Sequence, residues 1–136
     1  MIDDTYNASP ESVKAAIDVL VALDDNRSTV LVLGDMAELG AQADDYHRDL
    51  GEYAARAGVD TLLTVGEFRN SYVDGFKQVA ENSTAKAFDD KSAAIEYLVQ
   101  TAERATILVK GSRSAKMEEI VKGLKGAMQQ RGVAQC

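Results

Sequence analysis

The chain has 136 residues, of which 46% are hydrophobic and 27% charged, a balance typical of one globular domain with its own core. The formal net charge of −7 argues against a nucleic-acid partner, because binding phosphates requires a concentrated basic surface. A single cysteine, Cys136, and the lack of any apolar run of the roughly 18 residues that a membrane span needs predict a soluble, cytoplasmic protein without disulfides.

The first predicted elements are a short strand at residues 1–5 and a helix that follows it. Ser9 is expected to be the N-cap of this helix, and Pro10 occupies its first position, where a missing amide hydrogen costs nothing. Apolar residues recur at helical spacing and predict a face packed on a sheet: Val13, Ile17, Leu20 and Val21.

Later in the chain, near-continuous apolar runs of strand length each end in glycine, which is typical of buried parallel strands: residues 29–34, 61–66 and 105–111. A further short strand is expected at residues 85–88. Helices are predicted between these strands, over about residues 44–57, 67–81 and 91–103. The last helix carries an apolar stripe that we interpret as core: Met117, Ile120, Val121, Leu124 and Met128.

Alternation of strands and helices over the whole length predicts a single α/β domain covering residues 1–136. We expect right-handed crossovers and a doubly wound, mostly parallel sheet in a three-layer α/β/α sandwich. Ligands of such sheets bind at the carboxyl ends of the strands, near the point where the strand order reverses. We therefore expect the functional residues in the loops that follow Asp4, Leu33, Val65 and Val109.

The first of these loops brings carboxylates, a phenol and an amide to the start of a helix. Asp4 could accept hydrogen bonds from ribose hydroxyls, as acidic residues do in nucleotide-binding α/β folds. Tyr6 could stack or donate, and Asn7 could bond an adenine edge or shape the turn. Capping explains Ser9 and Pro10 fully, and a purely structural role stays open for Asp4 and Asn7.

The second loop, residues 33–40, places Asp35 and Glu38 directly after a buried strand. These carboxylates could bind a cation or the ammonium group of a substrate. Two carboxylates three residues apart, without a clear third ligand, are weak evidence for a metal, so no metal site is predicted. We interpret His47 on the next helix as an ordinary surface or capping residue rather than as a catalyst.

In the third loop, a buried strand opens onto glycine, hydroxyls and cations before the last helix begins. Backbone amides, the helix dipole and the Arg113 guanidinium together predict an anion site that suits a carboxylate as well as a phosphate. Ser112 supplies a hydroxyl, whereas Ser114 could be no more than the N-cap. Lys110 and Arg113 lie too early to be explained as charges at a helix C-terminus.

Several motifs that would activate a nucleotide or a nucleophile are missing from the sequence. There is no G-x-x-x-x-G-K-[ST] phosphate loop, no G-x-G-x-x-G fingerprint and no G-x-S-x-G elbow. The single histidine excludes a zinc site built on several imidazoles. We therefore predict no catalytic residue in this chain and no ability to activate a nucleoside triphosphate alone.

Three segments occur here in an order that is characteristic of one protein family: residues 3–10 (DDTYNASP), residues 33–40 (LGDMAELG) with His47 soon after, and residues 109–114 (VKGSRS). Together they resemble the carboxy-terminal domain of the MurF-type Mur ligases, which join D-Ala-D-Ala to UDP-MurNAc-tripeptide. The resemblance covers essentially the whole chain. One departure is Ser9, where the family commonly has asparagine, and serine caps a helix equally well.

The resemblance implies a three-domain cytoplasmic enzyme of peptidoglycan synthesis, of which this chain is the third, Rossmann-like domain. From the residues alone, the start of the chain could be a natural one or could mark a domain boundary. The amino-terminal domain of the family binds the UDP-sugar peptide, and the central domain carries the phosphate loop, the Mg²⁺ sites and a carbamylated lysine. ATP phosphorylates the peptide carboxylate, and the amine of D-Ala-D-Ala then attacks the acyl phosphate. The third domain closes over ATP; alone it is expected to be inactive and to bind no cofactor tightly.

The family motif also implies contacts for individual residues. Asp4 matches the acid that contacts the ATP ribose, and Tyr6 and Asn7 match the loop beside the nucleotide. The remaining matches are placed around the dipeptide: Lys110, Ser112, Arg113, Asp35 and Glu38. An alternative reading from the residues alone, a free-standing α/β module for a nucleotide or small anion, stays open. An independent hydrolase or transferase is disfavoured because no nucleophile–base pair is found.

Overall fold

The computed structural model describes residues 2–3, 9–23, 28–101 and 105–130, with only the backbone for residues 2, 3 and 128–130. Within these ranges, strands and helices alternate as the sequence predicts. The strands are β1 (Ile2–Asp3), β2 (Ser28–Leu33), β3 (Thr61–Val65), β4 (Thr84–Phe88) and β5 (Ala105–Lys110). The helices are α1 (Pro10–Ala22), α2 (Ala43–Ala57), α3 (Arg69–Val79), α4 (Lys91–Thr101) and α5 (Glu118–Gln130). Short 3₁₀ turns lie at Gly40–Gln42 and Arg113–Ala115.

The five strands form one parallel sheet in the order β1-β5-β2-β3-β4. The last strand therefore lies inside the sheet, between β1 and β2. Leu33 at the end of β2 is paired with Lys110 at the end of β5, and Asp3 of β1 is paired with Val109. Because every strand points the same way, all five carboxyl ends lie at one edge of the sheet.

Two hydrophobic clusters, one on each face of the sheet, make the domain a three-layer sandwich. In β2, Leu31 and Leu33 belong to one cluster, whereas Val30 and Val32 belong to the other. Helices α1, α2 and α3 pack on the first face through residues that include Ile17, Leu20, Leu50, Tyr72 and Phe76. Helices α4 and α5 cover the second face with Leu98, Met117, Ile120, Val121 and Leu124. The predicted doubly wound α/β fold is confirmed, and both sides of each central strand are apolar because both are buried.

The ends of α1 and α2 follow the local chemistry that the sequence indicates, whereas Ser114 lies within the 3₁₀ turn Arg113–Ala115 and is not the N-cap of α5. The Ser9 hydroxyl accepts the Ser12 amide at 3.2 Å, and the Ser12 hydroxyl accepts the Ser9 amide at 2.8 Å, which completes a capping box before α1. Helix α2 ends at Gly58, whose φ of 99° is in the left-handed region that glycine adopts without strain. No helix in the described part of the chain is long and apolar enough to cross a membrane.

Helices α2 and α3 touch each other backbone to backbone. A Cβ atom at Gly51 of α2 would overlap the carbonyl oxygen of Tyr72, and one at Gly75 of α3 would overlap that of Arg48. Two glycines at the crossing thus let the helix axes approach more closely than any side chain would allow. This close contact matters for the site, because both helices begin beside the carboxyl ends of the strands.

Candidate functional site

The sheet has crevices at its carboxyl edge because neighbouring strands send their chains to opposite faces. Strand β2 leads to α2 on the first face, whereas β5 leads to α5 on the second. The same divergence occurs between β3 and β4, which lead to α3 and α4. Such switch points are where open α/β sheets bind their ligands. The candidate site therefore lies in the loops that leave β2, β3, β4 and β5.

The loops after β2 and β5 are joined by backbone hydrogen bonds beyond the ends of the strands. The Gly34 amide donates to the Lys110 carbonyl at 2.9 Å, and the Ser112 amide donates to the Asp35 carbonyl at 2.9 Å. Three residues predicted around the dipeptide, Asp35, Lys110 and Ser112, are thus brought together. We call residues 34–36 the β2 loop and residues 111–114 the β5 loop.

The Asp35 side chain connects the β2 loop to the start of α3. Its two carboxylate oxygens accept hydrogen bonds from the amides of Glu67 at 2.8 Å and Phe68 at 2.9 Å. Charge-assisted bonds of this kind are stronger than neutral ones. The partners lie 32 and 33 residues away in sequence. In addition to any contact with a ligand, the Asp35 carboxylate therefore fixes the loop that follows β3.

Met117 fills the space between the β2 and β5 loops. Its side chain is fully buried and lies against the α-carbons of both Gly34 and Gly111, where an added Cβ would meet the Met117 Cγ or Sδ atom. The floor of the crevice between β2 and β5 is therefore closed by a flexible apolar side chain, and the open space lies beside it.

That open space is a cavity of about 440 Å³ between the loops after β2, β3 and β4 and the first turn of α5. The charged residues of its lining are mainly acidic: Asp35, Asp89, Asp90 and Glu119 against a single cation, Lys91. Lys91 at the start of α4 reaches Glu119 of α5 at 3.3 Å. An acidic lining suits a substrate ammonium group and disfavours a triphosphate.

The sequence interpretation missed the residues around this cavity that follow β4. Asp90 accepts the Ala93 amide at 2.8 Å and so caps α4, and Asp89 lies 3.4 Å from the Arg69 guanidinium. Arg69 also donates to the Gly66 carbonyl at 2.8 Å. The available signal was the pair of aspartates directly after a strand, but that strand is at the sheet edge and its apolar pattern is weak.

The other predicted dipeptide contacts differ in exposure. Lys110 is only 3% exposed and Ser112 only 5%, and the Ser112 hydroxyl lies 3.0 Å from that of Ser114. Arg113 is exposed at the start of the 3₁₀ turn. Glu38 is exposed with a left-handed φ of 62°. Arg113 and Glu38 are therefore the two of these side chains that solvent reaches most easily in this structure.

His47 is fully buried, so the interpretation of this residue as a surface side chain is wrong. Its Nε2 atom lies 3.0 Å from the Met36 amide, which can only donate, and its Nδ1 atom lies close to the Ala43 carbonyl, which can only accept. These partners select the neutral tautomer with the proton on Nδ1. Burial lowers the pKa of His47 below its ordinary value of 6.5, although the Ala43 carbonyl and the carboxylates of Asp35 and Asp44 act in the opposite direction.

The three predicted ATP contacts, Asp4, Tyr6 and Asn7, lie outside the described residues. Among the residues that are described, no group of three or more His, Cys, Asp or Glu side chains could bind a metal ion.

Comparisons with known proteins agree with one another. The family described as "Mur ligase, glutamate ligase domain" matches residues 1–113. The UDP-N-acetylmuramoyl-tripeptide–D-alanyl-D-alanine ligase of Escherichia coli K12 is 43% identical over 128 residues, which are 92% of this chain and 26% of that protein. The crystal structure of MurF from Acinetobacter baumannii superposes with a TM-score of 0.79 at 32% identity, covering 90% of this chain and 27% of that one.

A more distant structure, MurF from Thermotoga maritima in complex with ADP, superposes with a TM-score of 0.73 at 22% identity and shows the shared fold alone. It is covered over 28% of its length by 93% of this chain. The chain spans about a quarter of the length of the relatives that it matches. On the family match, which includes all five strands and the β5 loop up to Arg113, this chain belongs to the Mur ligase family as a glutamate ligase domain.

Proposed function

We propose that this chain is the carboxy-terminal domain of an ATP-dependent ligase that adds D-Ala-D-Ala to UDP-MurNAc-tripeptide in peptidoglycan synthesis. The observation that carries the proposal is the joining of the β2 and β5 loops at a switch point of the sheet, because these loops contain the two family motifs assigned to the dipeptide. Relatives that carry the name of this ligase match 92% of the chain.

The charges around the site suit the two ends of a dipeptide. The acidic cavity would attract the ammonium group, and the exposed Arg113 on the β5 loop would attract the carboxylate. The cavity, at about 440 Å³, has room for a molecule of this size and for water. This division of charge would orient the amino group of the dipeptide away from Arg113. A fixed orientation of the amine is what its attack on the acyl carbon requires.

The contribution of such a domain is orientation and exclusion of water. The relatives are acid–amine ligases by name, and a reactive acyl donor in such a reaction is lost if water reaches it before the amine does. In a separate domain that carries the acceptor, ligands that bind the closed arrangement more tightly would favour closure on the partner domains, which couples binding to closure. ATP and Mg²⁺ are proposed to be bound chiefly by domains outside this chain; the acidic residues that line the described cavity support this, because they would repel a triphosphate.

The Arg113→Ala substitution in the full-length enzyme is expected to raise the KM for D-Ala-D-Ala about tenfold or more and to leave the KM for ATP nearly unchanged. The reason is the loss of a charge-assisted hydrogen bond to the dipeptide carboxylate, which contributes about 1.5–3 kcal/mol. Steady-state kinetics with each substrate varied in turn would measure both constants. Arg56→Ala, an exposed arginine in the last turn of α2, is the matched control. Equal KM values for the dipeptide in the two variants would contradict the assignment.

For the nucleotide, Asp4→Ala is expected to raise the KM for ATP about tenfold, because a carboxylate that accepts the ribose hydroxyls would be lost. Asp4 remains a sequence-based assignment. Asp74→Ala, which removes an exposed carboxylate from α3, controls for the change in net charge. A KM for ATP that is the same in both variants would remove Asp4 from the proposed nucleotide site.

A further inference from the structure

His47 lies at the centre of the contacts that fix the β2 loop, and the proposed function assigns it no role. The imidazole stacks on the Phe68 ring with centroids 4.3 Å apart and meets the Tyr72 ring edge-on at 4.9 Å. Phe68 is the residue whose amide binds the Asp35 carboxylate, and the Tyr72 hydroxyl donates to the Gly34 carbonyl at 2.9 Å. The ring thus packs against Phe68 and Tyr72, and both of these residues bind the β2 loop.

His47 also binds the β2 loop directly. The three loop residues have different partners: Gly34 is bound by Lys110 and Tyr72, Asp35 by Ser112 and the amides before α3, and Met36 by His47 of α2. Of these bonds, only the one to Met36 comes from a side chain that titrates near neutral pH. The Met36 amide is buried, so without an acceptor it would lose a hydrogen bond and regain none from water.

We propose that His47 is a positioning residue for the acceptor dipeptide: its neutral imidazole accepts the Met36 amide and thereby holds the β2 loop, and through it the β5 loop, in the geometry that dipeptide binding requires. This inference rests on the proposed function. His47 does not contact the ligand; it acts through the Asp35 carbonyl, which accepts the Ser112 amide and so sets the start of the β5 loop.

The same geometry makes the loop sensitive to acid. An imidazolium has a hydrogen on both ring nitrogens, so protonation would turn Nε2 from an acceptor into a donor facing the Met36 amide. The charged groups that act on the ring are Asp35 of the β2 loop and Asp44 of α2, and both favour protonation. From α3, the ring meets the Tyr72 phenol, which stays neutral because burial raises its pKa. Desolvation outweighs the two carboxylates and keeps the ring neutral at pH 7.

The test compares two substitutions of His47 in the full-length ligase. His47→Gln keeps an acceptor near the Nε2 position and does not titrate, whereas His47→Leu keeps the volume and has no acceptor. We expect His47→Leu to raise the KM for D-Ala-D-Ala about tenfold or more with less than about a twofold change in the KM for ATP, and His47→Gln to stay within about threefold of the wild type.

A control for simple destabilisation is Leu98→Ala, a buried residue of α4 at the opposite end of the sheet. This variant should lower the thermal midpoint at least as much as His47→Leu and leave the KM for the dipeptide unchanged. If Leu98→Ala raises that KM as much as His47→Leu does, or if His47→Leu leaves it within about twofold of the wild type, the positioning role is overturned.

The pH dependence supplies the second readout. Below the ordinary histidine pKa of 6.5, the dipeptide KM of the wild type should rise relative to that of His47→Gln, and this ratio cancels the titration of the dipeptide itself. A ratio that stays constant down to the lowest pH at which both enzymes remain folded would contradict the acid sensitivity of the loop. If the wild-type enzyme does not use D-Ala-D-Ala at all, the proposed function is overturned. If the wild type uses D-Ala-D-Ala and both His47 variants have the same dipeptide KM as the wild type, only this inference is overturned.

Discussion

Replacement of Gly51 by alanine is expected to lower the free energy of unfolding of this domain by about 3 kcal/mol or more, one of the two largest effects we predict. The added methyl group would overlap the carbonyl oxygen of Tyr72, and the atoms of the opposing Phe76 and Tyr72 backbone leave it no alternative position. A flexible side chain could move aside, but a helix backbone can yield only if α2 and α3 separate. Urea unfolding followed by circular dichroism would measure the loss.

The control for Gly51 is Gly126→Ala in α5. Gly126 is also inside a helix, but an added Cβ there meets nothing within 4 Å, and the residue is exposed. Alanine should therefore raise the free energy of unfolding by about 0.5–1 kcal/mol, the usual gain in helix propensity. If Gly51→Ala stabilises the domain to the same degree, the close crossing of α2 and α3 is not what holds these helices together.

The Gly51 contact shows where the sequence stops being informative. Glycine inside a helix lowers helix propensity, and nothing in the pattern around Gly51 or Gly75 indicates that each of them packs against the backbone of the other helix. By contrast, the capping of α1 by Ser9 and the left-handed Gly58 after α2 were predictable, because their partners lie within one helical turn.

The strands illustrate the same limit. Runs such as residues 29–34 are apolar on both sides because both faces of the sheet are covered, so their positions and the fold class could be predicted directly. The edge strand β4 is half-exposed, and its pattern is weak. The loop after it was therefore not among the four predicted to be functional, although Asp89 and Asp90 line the cavity.

At the site itself, the sequence indicated three of the loops that the structure brings together, those after β2, β3 and β5, but not what each side chain contacts. Asp35 and His47 were both noticed, yet Asp35 was interpreted only as a ligand contact and His47 as a surface residue. Their roles depend on Glu67, Phe68 and Met36, which belong to loops whose relative positions the sequence pattern does not encode. Long-range polar contacts of this kind are specific to the folded chain.

The Asp35→Asn substitution is expected to lower the free energy of unfolding by about 2 kcal/mol. The carboxamide keeps one acceptor for the amides of Glu67 and Phe68, but its NH₂ group would face the other amide hydrogen. Removal of a negative charge from the acidic cavity acts in the opposite direction, because it relieves repulsion from Asp89 and Glu119. That relief is worth less than about 1 kcal/mol for partly exposed charges, so the loss of the hydrogen bond should prevail.

The control for this change is Glu38→Gln, the same carboxylate-to-amide substitution three residues further along at an exposed position. It should alter the free energy of unfolding by less than about 0.5 kcal/mol. Urea unfolding of both variants, together with the KM for D-Ala-D-Ala in the full-length enzyme, separates a role of Asp35 in contacting the dipeptide from a role in holding the loop after β3. The sequence alone could not separate these two roles. An Asp35→Asn variant of unchanged stability and raised KM would make Asp35 purely a ligand contact. Lost stability accompanied by a raised KM would instead mean that the carboxylate acts by holding the loop after β3 in place, so that the dipeptide meets a site already assembled.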